Sequence, residues 1–341
     1  MTPKKKIRHA IAAAAVALLA APAAFAFFAE ASKDRAVRFL EEVRVAQDRV
    51  RFAGRKVIET PEGPAIYDIR ADRPGRPHAE PVSRPSGRRG SWGGRGSRTR
   101  FSDPALIAEN YRLDARAPER IAGRDAERYA LVPRHGGRAS YEFAVDRKTR
   151  FVLAFRAVAV DGSRLYDARY ESIEFDPAPK VDEKPAPPKS AASKPPSERP
   201  KVTRERVKEE DLRKTMPFTV WSPAWTPPGF KLRSIERYVI RDGDEAVLSR
   251  WSDGMVGIHV IQTDANNPAW ELFRGYLGLP ETPPAAPASG GPVAWRMRHP
   301  GGALLDLTLD GTEVLIGGQV DPDELKKMAD HLKTIESPSP R

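Results

Sequence analysis

Residues 176–200 read DPAPKVDEKPAPPKSAASKPPSERP, with eight prolines between Pro177 and Pro200 and almost no bulky apolar side chain. Each proline removes a backbone donor and fixes φ, so neither a helix nor a central strand persists at that density. The segment predicts an extended, solvated tether of ~3.1 Å per residue where it is polyproline-like. The following VTRERVKEEDLRK has helical composition but no apolar stripe, and reads as a charged extension of the same tether. The linker is therefore placed at 177–214, dividing the chain into folding units at 27–176 and 215–341.

The chain opens MTPKKKIRHA, with Lys4, Lys5, Lys6 and Arg8 and no acid, followed by an apolar run from Ala10 to Ala21. Ala24-Phe25-Ala26 then supplies an A-x-A cleavage pattern, so residues 1–26 predict a secretory signal peptide cut near Ala26. A buried N-terminal helix is the competing reading, and the flanking charges disfavour it. No cysteine follows the apolar run, which excludes a lipid anchor there. The whole chain lacks cysteine, so its core relies on length rather than disulfides. These features point to the bacterial periplasm.

Export decides how RPSGRRGSWGGRGSRTR, residues 84–100, is read. Six arginines, five glycines and a tryptophan would suit RNA in another compartment. An exported chain meets lipid phosphates and acidic partners instead, and nucleic acid is not expected. Arg88, Arg89, Arg95 and Arg98 are candidate contacts for an anionic headgroup, against the plainer reading of a solvated loop. Residues 27–176 carry 30 basic and 23 acidic side chains, the linker 11 and 7, and residues 215–341 carry 12 and 16. A basic first half and an acidic second half suggest separate partners.

The first unit reads as one helix followed by strands. Val37, Leu40, Val43 and Ala46 or Gln47 mark one helical face. RVRFAGRKVIE and AIYDIRAD alternate as half-buried strands, and DPALIAENY reads as a short helix with Pro104 at its first position. Four strands follow: GRDAERYALVPR, ASYEFAVDRKT, RFVLAFRAVAVDG and SRLYDARYESIEFD, joined by turn residues in an antiparallel meander. Phe151, Leu153 and Phe155 share one face, and Tyr129, Leu131, Tyr141, Phe143, Tyr166 and Tyr170 could extend it. A strand apolar on both sides is covered on both or lines a cavity on one. Ordinary core is the default for these nine residues, and a lipid cavity the alternative.

In the second unit, EAVLSRWSDGMVGIHVIQT predicts a hairpin turning at Ser252-Asp253-Gly254. DPDELKKMADHLKTI predicts a helix capped by Asp321, with Leu325, Met328, Leu332 and Ile335 on one face. This is a small α+β domain.

Little here suggests catalysis. There is no cysteine nucleophile, no G-x-S-x-G elbow, no H-E-x-x-H, and no histidine pair at metal-ligand spacing. No catalytic residue, metal or cofactor is assigned, and the chain reads as a binding protein.

Three stretches carry a family likeness. NYRLDARAPERIAGRDAERYALVPRHGGRASYEFAVDRKTRFVLAFRAVAVDGSRLYDARYESIEF, WSPAWTPPGF and RWSDGMVGIHVIQT, in that order, resemble the MucB/RseB family of periplasmic sigma-factor regulators. Trp251 stands where that family usually has tyrosine. The resemblance implies an α+β fold: an N-terminal antiparallel half-open β-barrel with capping helices, like the carriers LolA and LolB, and a small C-terminal domain. It implies binding to the periplasmic part of a membrane-spanning anti-sigma factor, protection of that factor from proteolysis, and release by lipid or lipopolysaccharide. Partner binding is implied mainly for the second domain, with Trp221, Trp225, Phe230, Trp251 and Asp253 as candidates. A homodimer stays open. Rival readings are a lipid or lipoprotein carrier without a regulatory partner, and an envelope-associated structural module.

Overall fold

The computed structural model describes residues 33–60, 63–73, 75–83, 101–177, 203–241, 244–267, 270, 293–296 and 302–335. The signal-peptide reading, the four headgroup arginines and the proline-rich stretch from 178 to 202 lie outside the described residues.

Helix α1 spans residues 33–49 and buries Leu40, Val43 and Ala46, the face its periodicity predicts. The first sheet holds β1 (Phe52–Thr60), β2 (Gly63–Ala71), β3 (His78–Ser83), β4 (Tyr111–Ile121), β5 (Arg124–Pro133), β6 (Ser140–Asp146), β7 (Val152–Val158) and β8 (Arg164–Phe175). All its pairings are antiparallel, in the order β3-β2-β1-β8-β7-β6-β5-β4. The end strands β3 and β4 do not pair with each other, so the sheet stays open, as a half-barrel requires. Helix α2 (Pro104–Asn110) precedes β4, with Asp103 accepting from the Leu106 amide at its N-terminus.

Two strands escape the pattern reading. β4 carries Pro118 and four consecutive exposed residues, and the register with β5 skips between Arg116 and Glu119. β3 is exposed along most of its length and contains Pro81. Both are edge strands, where proline and charge are tolerated and alternation is lost.

The second sheet has the order β14-β15-β16-β13-β12-β11-β9. Its strands are β9 (Thr203–Arg206), β11 (Lys231–Arg241), β12 (Asp244–Ser252), β13 (Gly257–Asp264), β14 (Val293–Arg296), β15 (Ala303–Leu309) and β16 (Thr312–Gly318). β10 (Trp221–Pro223) and β17 (Leu332–Thr334) form a separate two-stranded ribbon. Helix α3 is Glu209–Thr215 and α4 is Pro322–Asp330. α4 starts on the Asp321 cap as expected but stops at Asp330, and Leu332 belongs to β17 rather than to the helix.

The tether is shorter than 177–214. Thr203–Arg206 pairs with β11 as an edge strand, and Leu212 of α3 is buried with Met216, Val220, Ile235 and Val247. A seven-residue helix needs only one deep apolar anchor to dock, so it shows no stripe.

The sheets also share a core. One buried cluster runs from Leu40 and Val43 of α1, through Leu131, Tyr141, Phe143 and Phe155, into Phe230, Trp251, Ile258, Val260, Leu305 and Ile316, and on to Leu325 and Met328 of α4. Freely jointed units would each close their own core. Here the described parts pack on one another.

Candidate functional site

The packing converges on Asp253, whose carboxylate is fully buried. It sits in the β12–β13 turn, where Oδ1 accepts from the backbone amides of Met255 and Val256 at 2.9 Å each. That local cage orients Oδ2 across the junction. There it accepts from the Tyr111 hydroxyl at 2.7 Å and from Arg138 Nη1 at 3.2 Å. The other Arg138 terminal nitrogen donates to the Pro228 carbonyl, and its guanidinium lies 4.8 Å from the centre of the Phe230 ring. Burial and the neighbouring Asp253 charge push the Tyr111 hydroxyl far above the ordinary tyrosine range, so it acts as a donor at any physiological pH.

Helix α2 is pinned beside this pair. Its last residue, Asn110, is fully buried, and its amide nitrogen donates to Leu106 O at 3.0 Å, Gly229 O at 3.1 Å and Asp253 O at 3.0 Å. Two glycines let the chains approach. At Gly229 (φ +81°) a Cβ would stand 1.7 Å from Asn110 Oδ1, and at Gly254 (φ +101°) one would stand 2.8 Å from the Ile107 amide nitrogen. Both conditions, positive φ and contact, exclude a side chain. Exposed pairs flank the notch, Lys231 with Glu109 at 2.7 Å and Arg233 with Asp103 at 2.8 Å.

This arrangement offers no nucleophile beside a base. Chemically it is a lock: a buried ion pair whose carboxylate also accepts from neutral donors, fixing one domain against the other. Breaking one side of such a pair costs about 3–5 kcal/mol, because the other charge stays buried.

The register brings six of the nine aromatic-face candidates onto one face. Register aligns Tyr129, Phe143, Phe155 and Ala168 across four strands, and Leu131, Tyr141, Ala157 and Tyr166 beside them. The nine divide between two packed clusters. Leu131, Tyr141, Phe143 and Phe155 join the shared core, with Tyr129 packed against it. Phe151, Leu153 and Tyr170 pack with Phe52, Ile58, Tyr67 and Ile69, and Tyr166 touches both groups. α1 covers this face through Phe39, whose ring lies 4.3 Å from that of Tyr129. Among the described residues, these side chains pack against one another across the face.

Open space lies on the other face. A cleft of about 780 Å³ is lined by Glu119, Arg128, Glu142, Arg156, Asp167 and Arg169 among others. Their charges alternate in a chain of ion pairs from Arg169 through Glu119, Arg128, Glu142 and Arg156 to Asp167, at separations of 2.9–3.6 Å. Among the described residues no group of three His, Asp or Glu side chains converges as metal ligands.

The proposed partner-contact residues fall mainly into the junction. Asp253, Trp251 and Phe230 are buried there. Trp225 lies on α4, with Lys327 Nζ 4.3 Å from its ring centre, and Trp221 exchanges two backbone hydrogen bonds with the Gln262 side chain. Asn110, Tyr111 and Arg138 were missed by sequence reasoning. The available signal was the His135-Gly136-Gly137 turn between β5 and β6, which Arg138 directly follows.

Residues 89–190 match the family model described as the MucB/RseB N-terminal domain. No curated protein matches the chain by sequence. Among solved structures, a crystal structure of MucB in complex with MucA(peri) is 18% identical with a TM-score of 0.54, covering 88% of this chain and 98% of that one. A complex of Pseudomonas aeruginosa MucA/MucB is 19% identical with a TM-score of 0.55, covering 88% and 99%. At these identities the likeness is one of fold, and it extends over both sheets.

Proposed function

We propose that this chain, whose residues 89–190 match the MucB/RseB N-terminal domain, is a periplasmic, non-enzymatic regulator of an envelope-stress sigma factor. It binds the periplasmic part of a membrane-spanning anti-sigma factor and shields that segment from proteolysis. Lipid or lipopolysaccharide freed by envelope damage releases it. The observation carrying this reading is the family match joined to a likeness in fold, over both sheets, to MucB in two complexes with MucA. The second domain, which a simple carrier would not need, supports the same reading.

In physical terms release is linkage: a ligand weakens partner binding only by its differential affinity for the partner-free form. A body whose domains share a core can transmit such a preference, whereas freely tethered domains cannot. The test is in-cell crosslinking of the tagged mature protein, with partners identified by mass spectrometry. Recovery of a single-pass anti-sigma factor is the expected result. Recovery of many unrelated lipoproteins without one would replace this reading with a carrier.

A further inference from the structure

Phe101 joins two regions that the description above treats apart. It lies in no helix or strand, yet it is 1% exposed. Its ring centre is 5.0 Å from that of Phe143 and 6.3 Å from that of Phe155. It therefore fills the aromatic face from outside the sheet, beside the cover provided by α1. Three residues later α2 begins, and α2 is the element held in the Gly229–Gly254 notch of the second domain. A single stretch of eleven residues, 101 to 111, thus has its first side chain in the aromatic cluster and its last two, Asn110 and Tyr111, bonded to Asp253.

We propose that Phe101 is a built-in occupant of an acyl-chain site on this face, and that an acyl chain displacing it draws α2 out of the notch and loosens the second domain. The inference rests on the lipid-release part of the proposed function. The chemistry is that of replacement. Tyr141, Phe143 and Phe155 present an apolar wall, and a methylene chain can recover the area that Phe101 gives up. No strand ladder must break to free Phe101 itself. α2 is only seven residues long, too short to persist without its tertiary contacts, so a pull at its N-terminal side is felt at Asn110. The second domain then loses the two Asn110 bonds to Gly229 and Asp253 together.

The test compares hydrogen exchange in the full chain, unaltered and as Phe101→Ala, with Phe151→Ala as the matched control. Phe151 is equally buried but belongs to the other cluster on the same sheet. Phe101→Ala should raise exchange in residues 104–111 and 253–256 by about tenfold, while Phe151→Ala leaves 253–256 within about threefold of the unaltered chain. Dodecanoate added to the unaltered chain should reproduce the Phe101→Ala pattern. Equal effects of the two substitutions on 253–256, or dodecanoate protection confined to surface segments, would overturn the proposal. If Phe101→Ala does not fold, Phe101→Leu gives the same comparison with less lost volume. Titrating the unaltered chain with the periplasmic segment of the cognate anti-sigma factor is read separately. Failure there removes the regulatory reading and leaves the exchange result to judge the acyl site by itself.

Discussion

The Tyr111 hydroxyl and Asp253 Oδ2 meet at 2.7 Å although 142 residues separate them in sequence. Tyr111 starts β4 of the first sheet and Asp253 sits in the β12–β13 turn of the second, both are essentially buried, and their bond completes the satisfaction of a carboxylate that Arg138 neutralises. Tyr111→Phe removes one donor but keeps the ring, and should cost about 1–3 kcal/mol, the range for a buried hydrogen bond to a charged group. Asp253→Asn leaves Arg138 buried without its counter-charge and should cost about 3–5 kcal/mol. Urea midpoints measure both, and an unchanged slope would show that the loss is one of stability alone.

The two glycines of the notch provide a sharper contrast. Gly254→Ala must accommodate both a positive φ and a Cβ pressed on the Ile107 backbone, so it should cost more than about 3 kcal/mol or separate the domains outright. Gly311 also has positive φ (+75°), but a Cβ there would meet nothing within 4 Å. Gly311→Ala should cost only the backbone strain, about 1–2 kcal/mol. Thermal unfolding of the two variants side by side separates contact from conformation.

Acid should act on the junction in an unusual direction. Glu324 of α4 is half-buried, and its Oε2 has no hydrogen-bond partner among the described residues. Burial, with Asp321 and Asp253 nearby, raises its pKa above the ordinary 4.5, against the opposing pull of Arg138 and Lys327. A raised folded-state value means that Glu324 adds stability below about pH 4.5 and loses that contribution as pH rises through the folded value. Glu324→Gln should therefore stabilise the protein at pH 7 and flatten this part of the pH profile. A destabilised Glu324→Gln at pH 7 would contradict the assignment.

Glu236 should give the opposite slope. Burial alone would raise it, but hydrogen bonds from Arg204 and Tyr238, with the charge of Arg250, outweigh that and hold it below the ordinary value. Its contribution is present above about pH 4.5 and is lost as pH falls through the lowered value. Glu236→Gln should remove this acid-side loss while lowering stability at neutral pH. Denaturation series from pH 3 to 7 on the two glutamine variants resolve the two slopes.

The cleft ladder should matter far less to stability. Arg156 is 41% exposed in its side chain and shared between Glu142 and Asp167, so Arg156→Ala should cost under about 1 kcal/mol, and less in high salt.

Periodicity made most of the ladder strands legible. β5 to β8 alternate cleanly, and α1 and the start of α4 announce themselves by spacing and caps. Edge strands β3 and β4 did not, since an edge may carry proline and charge where a central strand may not. Leu212 gave no pattern because one anchor makes no period. The junction was invisible for a different reason. Asn110 and Arg138 are polar residues at a helix end and after a turn, which a sequence reading assigns to solvent, and Asp253 reads as a partner contact. Only their convergence across three distant segments shows that they are buried. Phe101 gave no signal for its place against Phe143 and Phe155, being a lone aromatic next to an arginine-glycine run.

Asn110 waits a long way for its partners. It bonds to Gly229 and Asp253, 119 and 143 residues further along the chain. During synthesis from the N-terminus, the whole first sheet is made before either acceptor exists. Until then Asn110, Tyr111 and Arg138 have no second domain to satisfy them, and the aromatic cluster lacks part of its cover. Joining ends so distant carries a loop-closure cost that grows only slowly with length, but contacts of this range come late in folding. The junction is thus a timing device as well as a lock: the protein acquires its finished surface only when its last hundred residues arrive.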